Sequence, residues 1–351
     1  MVQLAAASDG VNRYDCSPSS GGSASTDTCV VVQMSTGGEN EAECEEGVSG
    51  TAPDASCSIT QQSTTGDNEA FAAQWWFQSA GNAQTAAQTV TLTQQSTTGS
   101  NEAFVAQLID QQMRNGAPTQ DQEGVQVACV QQDAQSGNDS AAVFQNMLQG
   151  EQEQAANTSQ TQNQTAGPDT ACGSSSTTIS PNLAALVLQN ENTPTASGSD
   201  NERVQQFLGQ RELSFPTSGA ASQLQGNNAD IGGLEAIPNQ NSSGVATANT
   251  SQAETQFQDA ETATRTQTQN DPIHNPPNEG VQGTNPNDTF NLVQRSTQRA
   301  DSGATQFYDM QGDCVSSGTC NVTQSFSTNT ASNTMTCNQS ACAVIQSNVG
   351  G

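Results

Sequence analysis

The sequence predicts an all-β fold, a β-solenoid of stacked strand-turn-strand repeats with Gln and Asn ladders and irregular polar loops. Hydrophobic residues make up 32% and aromatic residues 4% of the 351 residues, well below the apolar share of about 45–50% in ordinary globular domains. ITQQSTTGDNEAF (59–71) and LTQQSTTGSNEAF (92–104) are nearly identical and begin 33 residues apart. Stacked repeats can bury amides that hydrogen-bond to their own copies. A largely disordered chain is the alternative that this composition leaves open.

Each repeat has the pattern of strands joined by turns. TVTLTQ (89–94) alternates β-branched and apolar residues with a period of two, STTGSN supplies turn residues, and EAFVAQLI (102–109) resumes an extended apolar run. Longer and shorter turns alternate, with about 16 or 17 residues in each half-repeat. A repeat this short cannot bury a face alone, so it must stack on its neighbours.

Recurring Gln and Asn residues are the candidate ladder positions. A seven-residue offset between Gln and Asn recurs in four segments, and a four-residue offset recurs in two segments between them. The residues of the first kind are Gln33, Asn40, Gln61, Asn68, Gln94, Asn101, Gln131 and Asn138, and those of the second kind are Gln78, Asn82, Gln111 and Asn115. Stacking places equivalent positions about 4.8 Å apart, where buried amides can donate and accept along the column.

The repeat resembles that of the curlin family, the subunits of bacterial curli fibres, which reads roughly Ser-x5-Gln-x4-Asn-x-Ala-x3-Gln. The matching positions are Asn68, Ala70, Gln74, Asn101, Ala103 and Gln107, and near the C-terminus Gln324, Asn329 and Ala331. The resemblance implies a β-solenoid that polymerises end to end into an amyloid-like extracellular fibre, with Gln74 and Gln107 as further inward ladder residues. The chain departs from the family in its longer first turn, in Met335 where the family has Gln, and in its cysteines.

Ten cysteines predict disulfides and an oxidising compartment, because their number is even and the chain has a single histidine. They are Cys16, Cys29, Cys44, Cys57, Cys129, Cys172, Cys314, Cys320, Cys337 and Cys342. The local pairs Cys16/Cys29, Cys44/Cys57, Cys314/Cys320 and Cys337/Cys342 could each close a loop. The connectivity stays open, and free thiols in a cytosolic protein are the alternative.

Eight Asn-x-Ser/Thr sequons are candidate glycosylation sites and agree with an extracellular or cell-surface location. They are Asn138, Asn157, Asn163, Asn241, Asn249, Asn287, Asn321 and Asn338. The start, MVQLAAASDG, lacks the basic region of a signal peptide. We therefore expect the secretion signal to be absent from this sequence.

The charge of the chain excludes several classes of function. Seven Arg and no Lys face 35 acidic residues, which gives a net charge of −28, and such a field repels nucleic acid and anionic lipid. No apolar run reaches the 18 residues of a membrane span. His274 is the only histidine, so His-dependent triads, Lys-dependent enzymes and His-rich metal sites are not expected. The prediction is a protein without catalysis and without a cofactor.

Two further features could support binding. Glu41, Glu69 and Glu102 each follow a turn Asn, so stacking would align them in a column that Ca²⁺ could bridge. The alternative is a solvated acidic edge that discourages lateral aggregation. Trp75 and Trp76 are adjacent in a predicted strand and so face opposite sides. They could stack on a sugar or a neighbouring subunit, or pack locally.

Composition divides the chain into five segments. They are a Cys-rich segment with one degenerate repeat (1–56), tandem 33-residue β-repeats (57–150), a polar loop with short apolar elements (151–213), a Pro/Asn/Gln-rich linker or wrapping segment (214–290) and a β-like segment with disulfides (291–351). Within the third segment, ERVQQFLGQREL (202–213) has an amphipathic pattern that favours a helix.

The favoured function is a self-assembling structural subunit of an extracellular, amyloid-like or curli-like fibre or biofilm matrix, whose partner is another copy of itself. Its mechanism would be thermodynamic, because strand edges at the ends of one subunit are satisfied by the next copy. The alternative is a secreted, non-polymerising, adhesin-like β-solenoid that binds glycan or a cell surface.

Overall fold

A computed structural model describes most of the chain as β-structure. The described backbone covers residues 2–7, 11–16, 26–48, 54–79, 83–113, 119–134, 137–152, 157–166, 186–189, 199–214, 220–232, 245–260, 264–274, 289–300, 305–314, 319–327, 332–337 and 342–348. Side chains are described for most of these residues between 11 and 150 and for residues 205, 207 and 208. The all-β prediction is confirmed, and the described residues contain no helix.

The strands form two sheets. The first sheet contains β1 (Val2–Ala7), β3 (Thr26–Ser35), β5 (Asp54–Ser63), β7 (Ala83–Ser96), β9 (Thr119–Ala134), β11 (Asn157–Ala166), β12 (Leu186–Gln189), β14 (Ala220–Gly232), β16 (Thr264–His274), β18 (Thr305–Cys314) and β20 (Ser332–Cys337). The second contains β2 (Val11–Cys16), β4 (Glu39–Val48), β6 (Asn68–Gln78), β8 (Asn101–Met113), β10 (Asp139–Gln152), β13 (Ser199–Ser214), β15 (Val245–Ala260), β17 (Thr289–Ala300), β19 (Thr319–Ser327) and β21 (Cys342–Asn348).

Successive strands alternate between the sheets through β11, and all pairings within the described sheets are parallel. One strand of the first sheet, the turn after it and the next strand of the second sheet form a rung, as in β5 and β6. Each rung stacks on the one before it, which is the arrangement of a β-solenoid.

A narrow apolar core lies between the sheets. Along β8 every second side chain is buried, as expected when one face of a strand packs inward. The main cluster of buried side chains includes Val31, Ile59 and Leu92 from the first sheet and Val105 and Val143 from the second. Because residues of both sheets share one cluster, the sheets face each other. Most side chains of this cluster are Ala, Cys or Val. Buried polar side chains, most of them Gln and Asn, occupy other parts of the space between the sheets.

The stack continues beyond residue 150, where the composition indicated a loop and a linker. One register position of the second sheet is glutamine in eight successive strands from β6 to β21, namely Gln74, Gln107, Gln145, Gln206, Gln252, Gln294, Gln324 and Gln346. Strands β11 to β16 fill much of 151–213 and 214–290. The predicted helix over 202–213 is wrong, because this segment lies in β13 with Gln206 in that position.

Candidate functional site

A column of glycines sets the register of the turns between the sheets. Gly38, Gly66, Gly99 and Gly137 lie in four consecutive rungs, and a Cβ on any of the last three would collide with the carbonyl oxygen of the glycine before it. In three rungs a serine hydroxyl donates to the glycine carbonyl, and the pairs are Ser35 with Gly38, Ser63 with Gly66, and Ser96 with Gly99. Only glycine permits this close approach of successive turns.

A buried glutamine column precedes these turns. The Nε2–H of Gln61 donates to Oε1 of Gln33 at 2.8 Å, Gln94 donates to Gln61 at 2.8 Å, and Gln132 donates to Gln94 at 2.7 Å. Each of these amides also donates to a backbone carbonyl of the second sheet; Gln94, for example, donates to the carbonyl of Glu102 at 2.8 Å. All four side chains are at most 1% exposed. Such amides are tolerated inside the fold because the column satisfies their hydrogen bonds.

An asparagine column follows the same turns and runs in the opposite direction. Asn12 donates to Oδ1 of Asn40 at 2.9 Å, Asn40 to Asn68 at 2.8 Å, and Asn68 to Asn101 at 2.7 Å. Asn101 then donates to the Asp139 carboxylate at 2.8 Å. Asparagine therefore donates toward the C-terminal rungs, whereas glutamine donates toward the N-terminal rungs.

Four further glutamine columns cross the rungs, and most of their members were not predicted. They are Gln74, Gln107 and Gln145; Gln78, Gln111 and Gln149; Gln84 and Gln122; and Gln88 and Gln126. In each column the later amide donates to the earlier one at 2.7 to 2.9 Å. The predicted Gln74, Gln78, Gln107 and Gln111 thus lie in columns.

One predicted rung is displaced by a residue. Gln131 and Asn138 were expected in the ladders, but Gln132 and Asp139 occupy those positions, and Asn138 is exposed. The reason is the glycine column, because Gly137 must lie five residues after the ladder glutamine, as Gly99 does after Gln94. The predicted ladder residues Asn82 and Asn115 lie outside the described residues, as does the side chain of Gln131.

Two disulfides join the second sheet to the first, and each links the end of one rung to the first strand of the next. Cys16 bonds to Cys29 and Cys44 to Cys57, each across 13 residues of sequence. Cys16 and Cys44 are register neighbours, as are Cys29 and Cys57. The sulfurs of Cys16, Cys29 and Cys44 lie within 4.8 Å of one another, but disulfide sulfur offers no thiolate to a metal.

The remaining cysteines are less fully described. Cys129 is also disulfide-bonded. Cys314 pairs with Cys337 in backbone register, and Cys320 with Cys342. The predicted pairs Cys314/Cys320 and Cys337/Cys342 would each join the two strands of one rung, and their side chains lie outside the described set. Cys172 lies outside the described residues.

The acidic residues Glu41, Glu69 and Glu102 are register neighbours on the outer face of the second sheet. Desolvation raises the pKa of the Glu69 carboxyl above 4.5, and the negative charges of Glu102 and Glu41 raise it further. At the N-terminal end, Arg13 donates to Glu41 at 2.5 Å, but an exposed pair such as this adds little stability. The arrangement is that of a self-repelling acidic column, and its carboxylates supply the oxygen ligands that Ca²⁺ prefers.

Burial raises the pKa of one further acid on this face, Glu43, and the negative charges of Glu45 and Asp15 add to the effect, while Arg13 lowers it. Glu43, Asp15 and Arg13 line a cavity of about 500 Å³ together with Glu41 and Glu69. The outer face of the second sheet is therefore strongly acidic near its N-terminal strands.

The adjacent tryptophans face opposite sides, as expected. Trp76 is buried against Ile109, Met147 and Leu208, and its Nε1–H donates to the carbonyl of Ala87 at 3.4 Å. Trp75 lies on the outer face and is partly exposed. On the same face the rings of Phe71, Phe104 and Phe144 form a row with centroids 5.3 Å apart. Outward aromatics therefore line up across β6, β8 and β10.

The candidate glycosylation residues are distributed over strands and undescribed segments. Asn138 is exposed beside the turn before β10. The backbones of Asn157, Asn163, Asn249 and Asn321 lie in strands, whereas Asn241, Asn287 and Asn338 lie outside the described residues. His274 ends β16.

In the described part of the chain, no helix is long and apolar enough to cross a membrane. No protein-family model, curated protein or solved structure matches the chain. The resemblance to curlins therefore stays a prediction from the repeat motif, and the functional argument rests on the stacked rungs and their outer surfaces.

Proposed function

We propose that the protein is a self-assembling structural subunit of an extracellular fibre, in which copies stack end to end and continue both sheets. The observation that carries this proposal is the edge pairing. Within the described strands, β1, β2, β20 and β21 each pair along one edge only, whereas the strands between them pair along both. An edge strand presents unpaired backbone N–H and C=O groups, which a further copy can satisfy.

The amide columns add a second contribution to stacking. Each rung that joins a column brings a carboxamide to an existing one, as Gln94 does for Gln61 at 2.8 Å. The glutamine position of the second sheet persists to Gln346 in β21. The column begins at Gln74, because the register neighbour of Gln74 in β4 is Glu46. At the junction the first strands of the incoming copy therefore add backbone hydrogen bonds, and the amide columns stabilise the rungs on either side of it.

The chemistry of the chain supports an extracellular setting. The disulfides Cys16–Cys29 and Cys44–Cys57 are typical of an oxidising compartment. A net charge of −28 keeps free copies apart in solution until strand pairing holds them. With the resemblance to curlins, these features favour an amyloid-like fibre or biofilm matrix whose function requires no catalysis.

The test combines filament imaging with a blocked edge. Purified full-length protein is incubated at rising concentration and examined by negative-stain electron microscopy and fibre diffraction. We expect unbranched filaments with a reflection at about 4.7–4.8 Å. Protein that remains monomeric at every concentration would contradict the proposal.

Proline in β21 separates assembly from folding. Successive N–H groups of a parallel strand point to opposite neighbours, and proline has none to donate. One of the variants Val344→Pro and Ile345→Pro should therefore disturb the pairing of β21 with β19, and the other should block the open edge. The variant whose proline faces the open edge is expected to fold normally and to stop elongation. Val344→Ala and Ile345→Ala keep the backbone N–H, so both should form filaments. Normal elongation by both proline variants would exclude this edge.

A second function, a secreted non-polymerising solenoid that binds glycan or a surface, is favoured by the lengths of the edge strands. β1, β2 and β20 have 6 residues and β21 has 7, whereas β9 has 16 and β10 has 14. Short edge strands are one way in which proteins prevent edge-to-edge association. Surface or glycan binding by a monodisperse monomer would favour this function over the fibre.

A further inference from the structure

An apolar groove lies on the outer face of the second sheet, across β6, β8, β10 and β13. We define the aromatic groove by the side chains of Trp75, Phe77, Leu108, Phe144 and Phe207, and it encloses about 700 Å³. Phe77 is 51% and Phe207 37% exposed. Large apolar side chains at an outer surface mark binding sites more often than scattered single ones do. We propose that the aromatic groove binds a neutral polysaccharide chain.

The register gives the groove an extended and nearly flat floor. Trp75, Leu108 and Phe207 occupy one register position in β6, β8 and β13, and Phe77 lies two residues beyond Trp75 on the same face. With strands about 4.8 Å apart and about 6.7 Å between alternate residues, the floor is about 14 Å wide across the four strands. These dimensions suit several linked sugar rings rather than a single compact ligand.

The chemistry of the lining matches a sugar chain. The negative faces of aromatic rings attract the polarised C–H groups that a pyranose ring presents on its flat side. The amide side chains of Asn146 and Gln205 also line the groove, and amides can donate to and accept from sugar hydroxyls. A mainly apolar surface with a few polar groups that fix orientation is the usual composition of a ligand site.

Charge favours a neutral ligand. Every side chain that lines the groove is uncharged, although the chain carries a net charge of −28. An anionic polysaccharide would meet the repulsion of the whole protein and no cation in the groove. A neutral chain meets neither obstacle.

Charge also argues against a second copy of this chain as the occupant. A copy would bring a further charge of −28 and the acidic column of Glu41, Glu69 and Glu102, which lies on the same outer face as Trp75. Like charges that face each other oppose association. Lateral pairing of copies is therefore treated as an outcome of the test.

The test uses dispersed, full-length protein, so its result does not depend on filament formation. Affinity gel electrophoresis is run with hydroxyethyl cellulose as the neutral probe and alginate as the anionic probe. Trp75→Ala and Phe77→Ala remove the exposed rings. Met34→Ala is the matched control, because Met34 is 48% exposed on the first sheet. Circular dichroism and the emission of buried Trp76 report whether each variant is folded.

We expect hydroxyethyl cellulose to retard the wild type and the Met34→Ala variant equally, and alginate to retard neither. Each ring deletion should raise the dissociation constant by about tenfold, the loss expected for one aromatic contact. The proposal is overturned if the neutral probe does not retard the wild type or if the folded ring variants bind as well as it does. It is also overturned if the ring deletions abolish a lateral dimer in sedimentation velocity without changing retardation.

Discussion

The side-chain amide of Asn101 donates to a carboxyl oxygen of Asp139 at 2.8 Å, so within the described side chains the asparagine column passes from amides to a carboxyl group. The other carboxylate oxygen of Asp139 accepts from the backbone N–H of Ala134 at 3.2 Å. In this rung Ala134 stands where Ser96 stands in the rung before it. A carboxylate thus replaces asparagine where the turn has also lost its serine.

Removal of this carboxylate should be costly. Asp139→Ala leaves the buried N–H groups of Asn101 and Ala134 without these acceptors, and a buried unsatisfied group costs about 1–3 kcal/mol. Asp139→Asn keeps one acceptor oxygen for Asn101, so we expect a smaller loss. The free energy of unfolding from denaturant titration measures both. If Asp139→Asn lowers the free energy of unfolding as much as Asp139→Ala does, the hydrogen bond from Asn101 is not the contact that stabilises this rung.

The glutamine column can be tested in one strand with a neighbouring control. Gln94 donates to Gln61 and accepts from Gln132 inside the stack, whereas Gln95 is exposed and accepts from Gln62. Gln94→Ala should lower the free energy of unfolding by more than about 2 kcal/mol, because it leaves several buried polar groups unpaired. Gln95→Ala should change it by less than about 0.5 kcal/mol, as for most surface substitutions. Equal effects would contradict a structural role for the column.

The ladder positions predicted most directly from the sequence lie in the two nearly identical copies of the repeat. Gln61 and Gln94 have similar neighbours over 13 residues, so their equivalence could be recognised from sequence and is confirmed as a hydrogen bond. The prediction failed by one residue where doublets made two alignments equally good. In QQDAQSGND, either Gln131 or Gln132 is seven residues before a turn residue, and only the glycine distinguishes them.

Columns outside those copies were missed because the rungs differ in length while their strands stay in register. Stacked amides are separated by 28, 33 or 38 residues in different rungs, so a search for one period finds few of them. A local signal was present. Two glutamines four residues apart recur in successive strands of the second sheet, at 74/78, 107/111, 145/149, 206/210, 252/256 and 294/298. The connections between strands can differ in length from rung to rung, but the alternation of inward and outward side chains within a strand is fixed.

The glycine column should be intolerant of even a methyl group. Gly99→Ala places a Cβ against the backbone carbonyl of Gly66, which cannot move without shifting the adjacent turn. We expect a loss of at least about 2 kcal/mol in the free energy of unfolding, in the range of strained or overpacked sites. At Gly150 the three atoms nearest to an added Cβ all belong to the flexible side chain of Gln112, so Gly150→Ala should cost clearly less. Similar losses in the two variants would exclude the turn contact as the cause.

The acidic column should make stability depend on pH. Folding raises the pKa of Glu69 above 4.5, first by desolvation and then by the charges of Glu102 and Glu41. An acid with a raised pKa binds its proton more tightly in the folded state, so its protonation stabilises the fold. This contribution is fully present below pH 4.5 and is lost as the pH rises through the raised pKa.

Glu69→Gln isolates this effect from the other carboxylates. The variant should be more stable than the wild type at neutral pH, and the difference should disappear as the pH falls below 4.5. Glu123→Gln makes the same charge change at an exposed site whose register neighbour in β7 is Thr85, so it should not show the same pH-dependent gain. Thermal unfolding from pH 4 to 8 measures the differences. If Glu69→Gln lowers stability at neutral pH, the column does not repel itself, and a bound cation such as Ca²⁺, removable with a chelator, becomes the explanation to test.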